Sequence, residues 1–317
     1  KSFRTSAESD LIREGFELAS ISGDAELRAG TIHLSCGISA GLRGTRKQYT
    51  INGQSVRYAK FLGSVKVVTF IPADLQLVSG GPSLRRAMLN GALSQDDHGY
   101  YRNLARYQKT LQQKSAMLRG AVGNDPQLLA IYNDALIEAG SALILSRVGF
   151  ISAINTIASR VYSGWVGKES LEVCYRPNVA FEAPTLDDVE RAFAHRLQER
   201  AAAEAQRAAS LVGPHRDEME FLLNGHPLSA FGSQGQQRTA VLALKVAEYT
   251  VMHERSNEAP LLLLDDVLSE LDSARAEAFL AGVSGYEQAF ITATHLPHAL
   301  SGARVHEVCA AELRLVA

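Results

Sequence analysis

Leu261-Leu262-Leu263-Leu264-Asp265-Asp266 constrains the fold more than any other segment of the chain. A run of four leucines is short enough for a strand buried in a parallel sheet. It ends in two adjacent carboxylates, and in open sheets of that kind ligands gather at the carboxyl ends of the strands. Magnesium wants hard oxygen donors and keeps several of its waters, so one strand-end carboxylate suffices to hold it. The neighbouring carboxylate can then position or activate a water. This is a Walker B pattern for a nucleoside triphosphate. Acidic loop residues after a strand are also common, so the pattern gains weight only from what surrounds it.

Upstream, Phe231-Gly232-Ser233-Gln234-Gly235-Gln236-Gln237-Arg238-Thr239 leads into an amphipathic stretch, Val241 to Val251. A hydroxyl, exposed N–H groups and a positive dipole end there suit a γ-phosphate, although such a turn also makes an ordinary helix cap. Downstream, Ile291-Thr292-Ala293-Thr294-His295 reads as a strand ending in histidine. From Gly213 onward strands and helices alternate, which argues for a largely parallel, doubly wound sheet with a helix from about Ser273 and a hairpin at Asn224-Gly225.

The first part of the chain has another texture. Ile32, Leu34, Cys36 and Ile38 alternate with polar residues, and Asn52-Gly53 is a two-residue hairpin signal. Residues 15 to 71 therefore read as an antiparallel β region, ending in a buried strand, Val65 to Ile71, stopped by Pro72. Beyond Pro82 the period becomes helical. Leu104, Tyr107, Leu111 and Leu118 fall on one stripe, while Arg102, Arg106 and Lys109 share another face. Asp125-Pro126 starts a long helix towards Tyr162. A short strand is expected at Leu171 to Tyr175, and Thr185 with Asp188 signals a capping box for a helix reaching about Ser210.

The 317 residues are 46% hydrophobic, enough for one large core or two modest ones. A net charge of −2 excludes a polybasic binder or a disordered acidic tail taken whole. That total hides a split. Residues 42 to 120 carry thirteen Lys/Arg against Asp74, Asp96 and Asp97, a balance of +10 that leaves −12 for the rest. The split marks either a polyanion-facing side or a surface whose charges pair across the fold. Cys36, Cys174 and Cys309 are too scattered for a disulfide framework or a metal pair and suit a reducing compartment. No apolar run approaches the ~20 residues of a membrane span, and no charged n-region precedes an apolar h-region. The chain opens Lys1-Ser2-Phe3-Arg4 without methionine, as the tail of a longer protein would.

Read in order, Ser233, Gly235 and Gln236, a helix, the strand with Asp265-Asp266, Ser269-Glu270-Leu271-Asp272 and the strand with His295 resemble the ATP-binding cassette (ABC) ATPases. They match the signature, Walker B, D-loop and switch histidine. Within that superfamily the chain resembles the RecF family of bacterial recombinational-repair proteins. Pro72-Ala73-Asp74-Leu75 with Gly80-Gly81-Pro82-Ser83-Leu84-Arg85-Arg86 and Leu89-Asn90 carries the likeness, as do Gly213-Pro214-His215-Arg216-Asp217 and the segment from Leu264 to Asp272.

The resemblance implies an α/β, ABC-ATPase-like head of mixed antiparallel and parallel sheet, formed by residues 1–81 and 211–317, with a mostly helical lobe over 82–210. It implies an ATP-dependent homodimer in which Asp265 holds Mg2+ and Asp266 and His295 stand near the attacking water and γ-phosphate. Ser233, Gly235, Gln236 and Asp272 would complete the ATP site across the dimer. Independently of the resemblance, the basic balance of residues 42–120 makes Arg85, Arg86, Arg102, Arg106 and Lys109 the candidate DNA surface, touching phosphates rather than reading bases, although arginines in a first helical turn, as Arg85 and Arg86 are, equally often pair with neighbouring carboxylates. Binding of double-stranded DNA and single-strand/double-strand junctions, partnership with RecR and RecO, the loading of RecA and a cytoplasmic, nucleoid-associated place follow from the same resemblance.

The departures matter too. No G-x-x-x-x-G-K-[ST] occurs, and the family pattern would put it within roughly fifty residues ahead of Lys1. Ala73 and Asn90 replace acids usual in the family. Asp266 stands where transporters carry glutamate, and its shorter side chain suits slow hydrolysis. A transporter subunit would instead show Leu-Ser-Gly-Gly-Gln and no such helical lobe. An SMC-like ATPase would need heptads sustained through a longer arm. A non-enzymatic DNA- or partner-binding protein stays in play. Residue spacing argues against zinc at His215, His226 and Cys174, and the sequence assigns no role to His215 or Arg216.

Overall fold

The computed structural model describes residues 7–41, 44–120, 125–267, 276–277, 279–280, 286–294, 303–309 and 312–316. Strands β1 (Leu18–Leu27), β2 (Gly30–Ser39), β3 (Arg46–Ile51) and β4 (Gln54–Val56) form an antiparallel meander in that order. The β3–β4 turn is the expected one. Asn52 and Gly53 both take positive φ, 51° and 76°, the backbone twist that two-residue hairpins require. The Asn52 side-chain oxygen also accepts the His33 N–H at 2.8 Å, tying the turn to β2.

The short helix α1 (Tyr58–Phe61) leads to β5 (Val67–Phe70), where the antiparallel expectation fails. β5 pairs in parallel with β9 (Leu261–Asp265), and β9 pairs in parallel with β10 (Ala289–Thr292). Among the described residues these three strands are the parallel part, so the sheet expected after Gly213 includes a strand from the N-terminal region. The reason is long-range. Val68, Phe70, Leu262 and Leu264 are buried together on one face of this sheet, and alternation within β5 alone cannot reveal a partner that far along the chain.

Between β5 and β9 lie α2 (Gln76–Ser79), α3 (Pro82–Asp96), α4 (His98–Leu118), α5 (Pro126–Val166), β6 (Leu171–Arg176), α6 (Leu186–Arg207), β7 (Glu218–Leu223), β8 (His226–Pro227), α7 (Leu228–Phe231) and α8 (Gln234–Ser256). Asp125 caps α5 by accepting the Gln127 N–H at 2.9 Å, with Pro126 at the first helical position. Among the described helices α5 alone has the length and mean hydropathy of a membrane-crossing segment, although no single apolar run suggested it. It serves instead as the central core helix, packed on α4, α6 and α8, with Leu143, Ile144, Phe150 and Ile154 buried.

Thr185 caps α6 as expected, but only half of the predicted box forms, because the Asp188 carboxylate turns to the N–H groups of Glu182 and Ala183. β6 pairs antiparallel with β7, so a strand from the helical segment is joined to one beyond Gly213. One buried cluster runs from Val68 through Phe150 to Leu264. β11 (His306–Cys309) and β12 (Glu312–Leu315) close the described chain as a hairpin. Most of the helix expected from Ser273 falls outside the described residues.

Candidate functional site

The parallel register brings the expected carboxylates to a common edge. Thr292, the last residue of β10, lies opposite Asp265, the last of β9. The Thr292 hydroxyl donates to Asp265 Oδ1 at 2.8 Å. The Asp266 N–H donates to the Thr292 carbonyl at 3.2 Å. Asp266 takes φ 51°, a left-handed conformation uncommon for a non-glycine residue, so the chain reverses at the second carboxylate. Buried Val267 anchors the far side of that turn. Phe70 lies opposite Leu264, so the Pro72-Ala73-Asp74 turn after β5 leaves the sheet at the same edge. Asp74 faces inward, 3.5 Å from buried Lys245, which also meets Glu248 at 3.1 Å.

Asp265 is exposed and its carboxylate is oriented by a neighbouring hydroxyl. Hard, oriented oxygen donors at a strand end fit magnesium. Thr292 is the residue that sequence reasoning missed, although its place at the end of Ile291-Thr292 was the available signal. His295 and Asp272 lie outside the described residues.

Ser233 caps α8, and here the box is complete. The Gln236 N–H reaches the Ser233 hydroxyl at 3.2 Å, and Gln236 Oε1 accepts the Ser233 N–H at 2.8 Å. Gln236 Nε2 then donates to Glu169 at 2.7 Å, fixing this helix start to the region after α5. Ser233 itself is exposed. The turn is thus an ordinary cap in its hydrogen bonds, and it still presents first-turn N–H groups to whatever approaches. That donor set fits a phosphate.

The expected DNA residues divide. Arg85 is only 7% exposed and grips Glu218 with two bonds of 2.6 and 2.8 Å while closing the Leu77 and Gly80 carbonyls. Of the two expectations for Arg85, the geometry shows the pairing with a carboxylate. Arg86 is half-buried on the Asp217 carbonyl. Burial, with Arg147 beside it, lowers its pKa. Arg106 is bound at both ends to Glu138. Arg102 and Lys109 are exposed and, among the described residues, carry no ion pair. The +10 region is therefore partly neutralised from outside, since Glu8, Glu138, Glu204 and Glu218 take Lys47, Arg106, Lys114 and Arg85.

Gly213-Pro214-His215-Arg216-Asp217, which had no derived role, builds a polar hub. Buried Arg147 of α5 donates to Asp217 Oδ2 and the Pro214 carbonyl, both at 2.7 Å, to Asn90 Oδ1 at 3.0 Å and to the Tyr100 hydroxyl at 3.2 Å. Asp217 also accepts the Tyr175 hydroxyl and, at 2.8 Å, the Asn178 N–H. Burial disfavours the Arg147 cation, but Tyr100, Tyr175 and Asp217 hold its pKa above the usual value. Gly213 sits at φ 126°, and an added Cβ would lie 2.3 Å from the Tyr107 hydroxyl. That hydroxyl pairs with His215 Nδ1 at 2.6 Å. Burial first, and then Arg216, lower the His215 pKa to about 4, so the neutral ring accepts from Tyr107 and donates from Nε2 to the Ser210 carbonyl.

No family model matches the chain. Among solved structures, the SmcHead bound to the C-winged helix domain of ScpA has a TM-score of 0.52 at 12% identity over 99% of this chain, a likeness of fold. Two structures of the recombination mediator protein RecF in the RecFOR pathway match far better. The one with ATPrS has a TM-score of 0.91 at 28% identity, covering 100% of this chain and 85% of that one. The one with ATP has a TM-score of 0.89 at 29% identity. The mixed parallel and antiparallel sheets with their helices have the ABC-ATPase/SMC-head type of fold. Curated relatives narrow the class. The DNA replication and repair protein RecF of Symbiobacterium thermophilum is 40% identical over 302 residues, covering 93% of this chain and 79% of the relative. That of Acaryochloris marina is 38% identical over 303 residues, with 93% and 80% covered. The chain belongs to the RecF family of DNA replication and repair proteins.

Proposed function

We propose that this RecF-family chain works as an ATP-dependent DNA clamp of recombinational repair and replication restart, a homodimer that closes on ATP and reopens on slow hydrolysis. The observation that carries the reading is the Asp265–Thr292 pair at the parallel strand ends. Asp265 would hold Mg2+, which supplies charge neutralisation on the phosphates. Asp266 and His295 would position the attacking water. Residues 1–81 with 211–317 would act as the ATPase-like lobe and 82–210 as the helical lobe, despite their shared core.

The second half of the site would come from a partner copy. α8 is 23 residues long, about 34 Å, whereas five-residue β9 returns only about 17 Å. Ser233, Gly235 and Gln236 thus stand well beyond the strand ends of their own protomer, which supports their service, with Asp272, to a second copy. ATP binding to the closed state alone would then shift the population towards the dimer. DNA would be held at its phosphates, with a preference for single-strand/double-strand junctions, and RecR, RecO and RecA would be its protein partners in the cytoplasm, at the nucleoid.

Light scattering on the protein as its cell makes it tests this. Mg2+ and ATP should double the mass, and Ser233→Arg should abolish that doubling while ATP binding persists. An unchanged mass with ATP removes the clamp. Salt-sensitive DNA binding that ignores ATP would favour the non-enzymatic reading.

A further inference from the structure

Tyr58, at the start of α1, keeps 44% of its surface exposed although its ring is held on two sides. Its centroid lies 5.2 Å from that of Tyr49 on β3 and 5.8 Å from that of Tyr101 on α4. Tyr49 in turn packs on Phe61 at 4.9 Å. The ring is therefore a fixed platform at the corner where the antiparallel sheet meets the helical segment. A fixed ring has little rotamer freedom left to lose when something lies on it.

The charges around this platform differ from those elsewhere in residues 42–120. Arg57 and Lys60 flank Tyr58 in the chain, and Arg102 follows Tyr101. All three are exposed, and among the described residues none has an ion pair. The neighbouring acids are occupied: Glu8 holds Lys47, Asp96 holds Lys66 and Arg255, and Asp97 caps α4 by accepting the Gly99 N–H. The corner thus presents three exposed cations without ion-pair partners among the described residues beside a half-exposed aromatic ring. Phosphates answer the first feature. The face of an unpaired base answers the second, because a duplex hides that face and a single strand offers it.

We infer that the α1–β3–α4 corner is a binding site for single-stranded DNA, with a base stacked on Tyr58 and backbone phosphates on Arg57, Lys60 and Arg102. The inference rests on the DNA-binding reading above and specifies a place for it. It moves the DNA surface from Arg85 and Arg106, which are committed to Glu218 and Glu138, to cations without carboxylates.

Fluorescence anisotropy on the full chain, with a labelled oligothymidylate and a blunt duplex as separate probes, tests it. Tyr58→Ala should weaken single-strand binding about 5- to 100-fold, the range of one lost base stack, and leave duplex binding within twofold. Tyr58→Phe, which keeps the stacking ring, should match the unaltered protein. Replacing Arg57, Lys60 and Arg102 with alanine should flatten the salt dependence by about 0.7 per lost phosphate contact. That triple variant alters only exposed side chains and decides the matter should Tyr58→Ala disturb the aromatic cluster. If the unaltered protein binds DNA and neither variant set changes single-strand affinity, the site is refuted and the DNA-binding reading stands. If the unaltered protein binds neither probe, the DNA-binding reading falls and takes this site with it.

Discussion

Arg147 and Arg102 sit in neighbouring helices of the same segment and have opposite surroundings. Arg147 is buried in the hub with a carboxylate, a carbonyl, an amide oxygen and a phenol around it. Arg102 stands in solvent with no ion pair among the described residues. Local sequence separates their burial, since Leu143, Ile144, Phe150 and Ile151 stand one turn from Arg147 and His98, Gly99, Ala105 and Arg106 one turn from Arg102, but it does not name their partners. The difference in pairing is made by residues far along the chain. Asp217 and Pro214 come back to Arg147 from beyond α6, whereas no acid among the described residues returns to Arg102. A cation that the fold neutralises belongs to the architecture, and one that it leaves bare is free for a polyanion.

The hub offers the most forceful way to break this comparison. Asp217→Ala would strip Arg147 of the carboxylate it pairs with and also orphan the Tyr175 hydroxyl and the Asn178 N–H. Leaving a buried charge unmatched costs about 3–5 kcal/mol, so urea unfolding should show a loss of that order. The double replacement Arg147→Met with Asp217→Leu should recover most of it, because apolar residues of similar volume can take the place of a buried pair. A loss below about 1 kcal/mol for the single variant would mean that the hub is open to water, and the contrast with Arg102 would vanish.

Such long-range matching is also what limited the sequence reading. The Asn52-Gly53 turn, the Asp125-Pro126 start and the strand ending in Asp265-Asp266 were legible because their determinants lie within a few residues. So was Ser233, although its hydrogen bonds proved to be those of a plain capping box. The parallel pairing of β5 was not legible, because its buried face is completed by β9. For Arg85 the sequence left a DNA surface and a carboxylate partner both open, because nothing local points to Glu218. His215 and Asp217 show no periodic signal at all. They were visible only as a family motif, and their roles became apparent once α4, α5 and β6 converged on them. Thr292 belongs between these cases, since its strand was read correctly and its bond to Asp265 depends on register alone.

His215 sharpens the comparison through pH. Burial lowers its pKa from 6.5 to about 4. Between those values the unfolded chain takes up a proton that the folded chain refuses. Stability therefore falls as pH drops from about 6.5 to about 4 and is insensitive to this group above that window. The contribution is up to about 3 kcal/mol. His215→Gln can still accept from Tyr107 and donate to the Ser210 carbonyl, so urea midpoints across pH 4 to 7 should fall less steeply for the variant. A pH dependence identical to that of the unaltered protein would show the ring to be solvated, and the hub less dry than its neighbours suggest.

The smallest expected effect lies at the boundary between the two regimes. Arg106 has a partner, as Arg147 does, yet it is exposed, as Arg102 is. Its two bonds to Glu138 of 2.6 and 2.7 Å look as strong as those of the hub. Water and salt screen them, however, and exposed pairs contribute less than about 1 kcal/mol. Arg106→Ala should shift the urea midpoint barely above error, and the shift should shrink further in high salt. If carboxylate capture alone decides which cations meet DNA, this variant should also leave DNA affinity nearly unchanged, while Arg102→Ala weakens it. Equal losses for the two would mean that Glu138 yields Arg106 to a phosphate, and that exposure rather than pairing separates structural cations from binding ones.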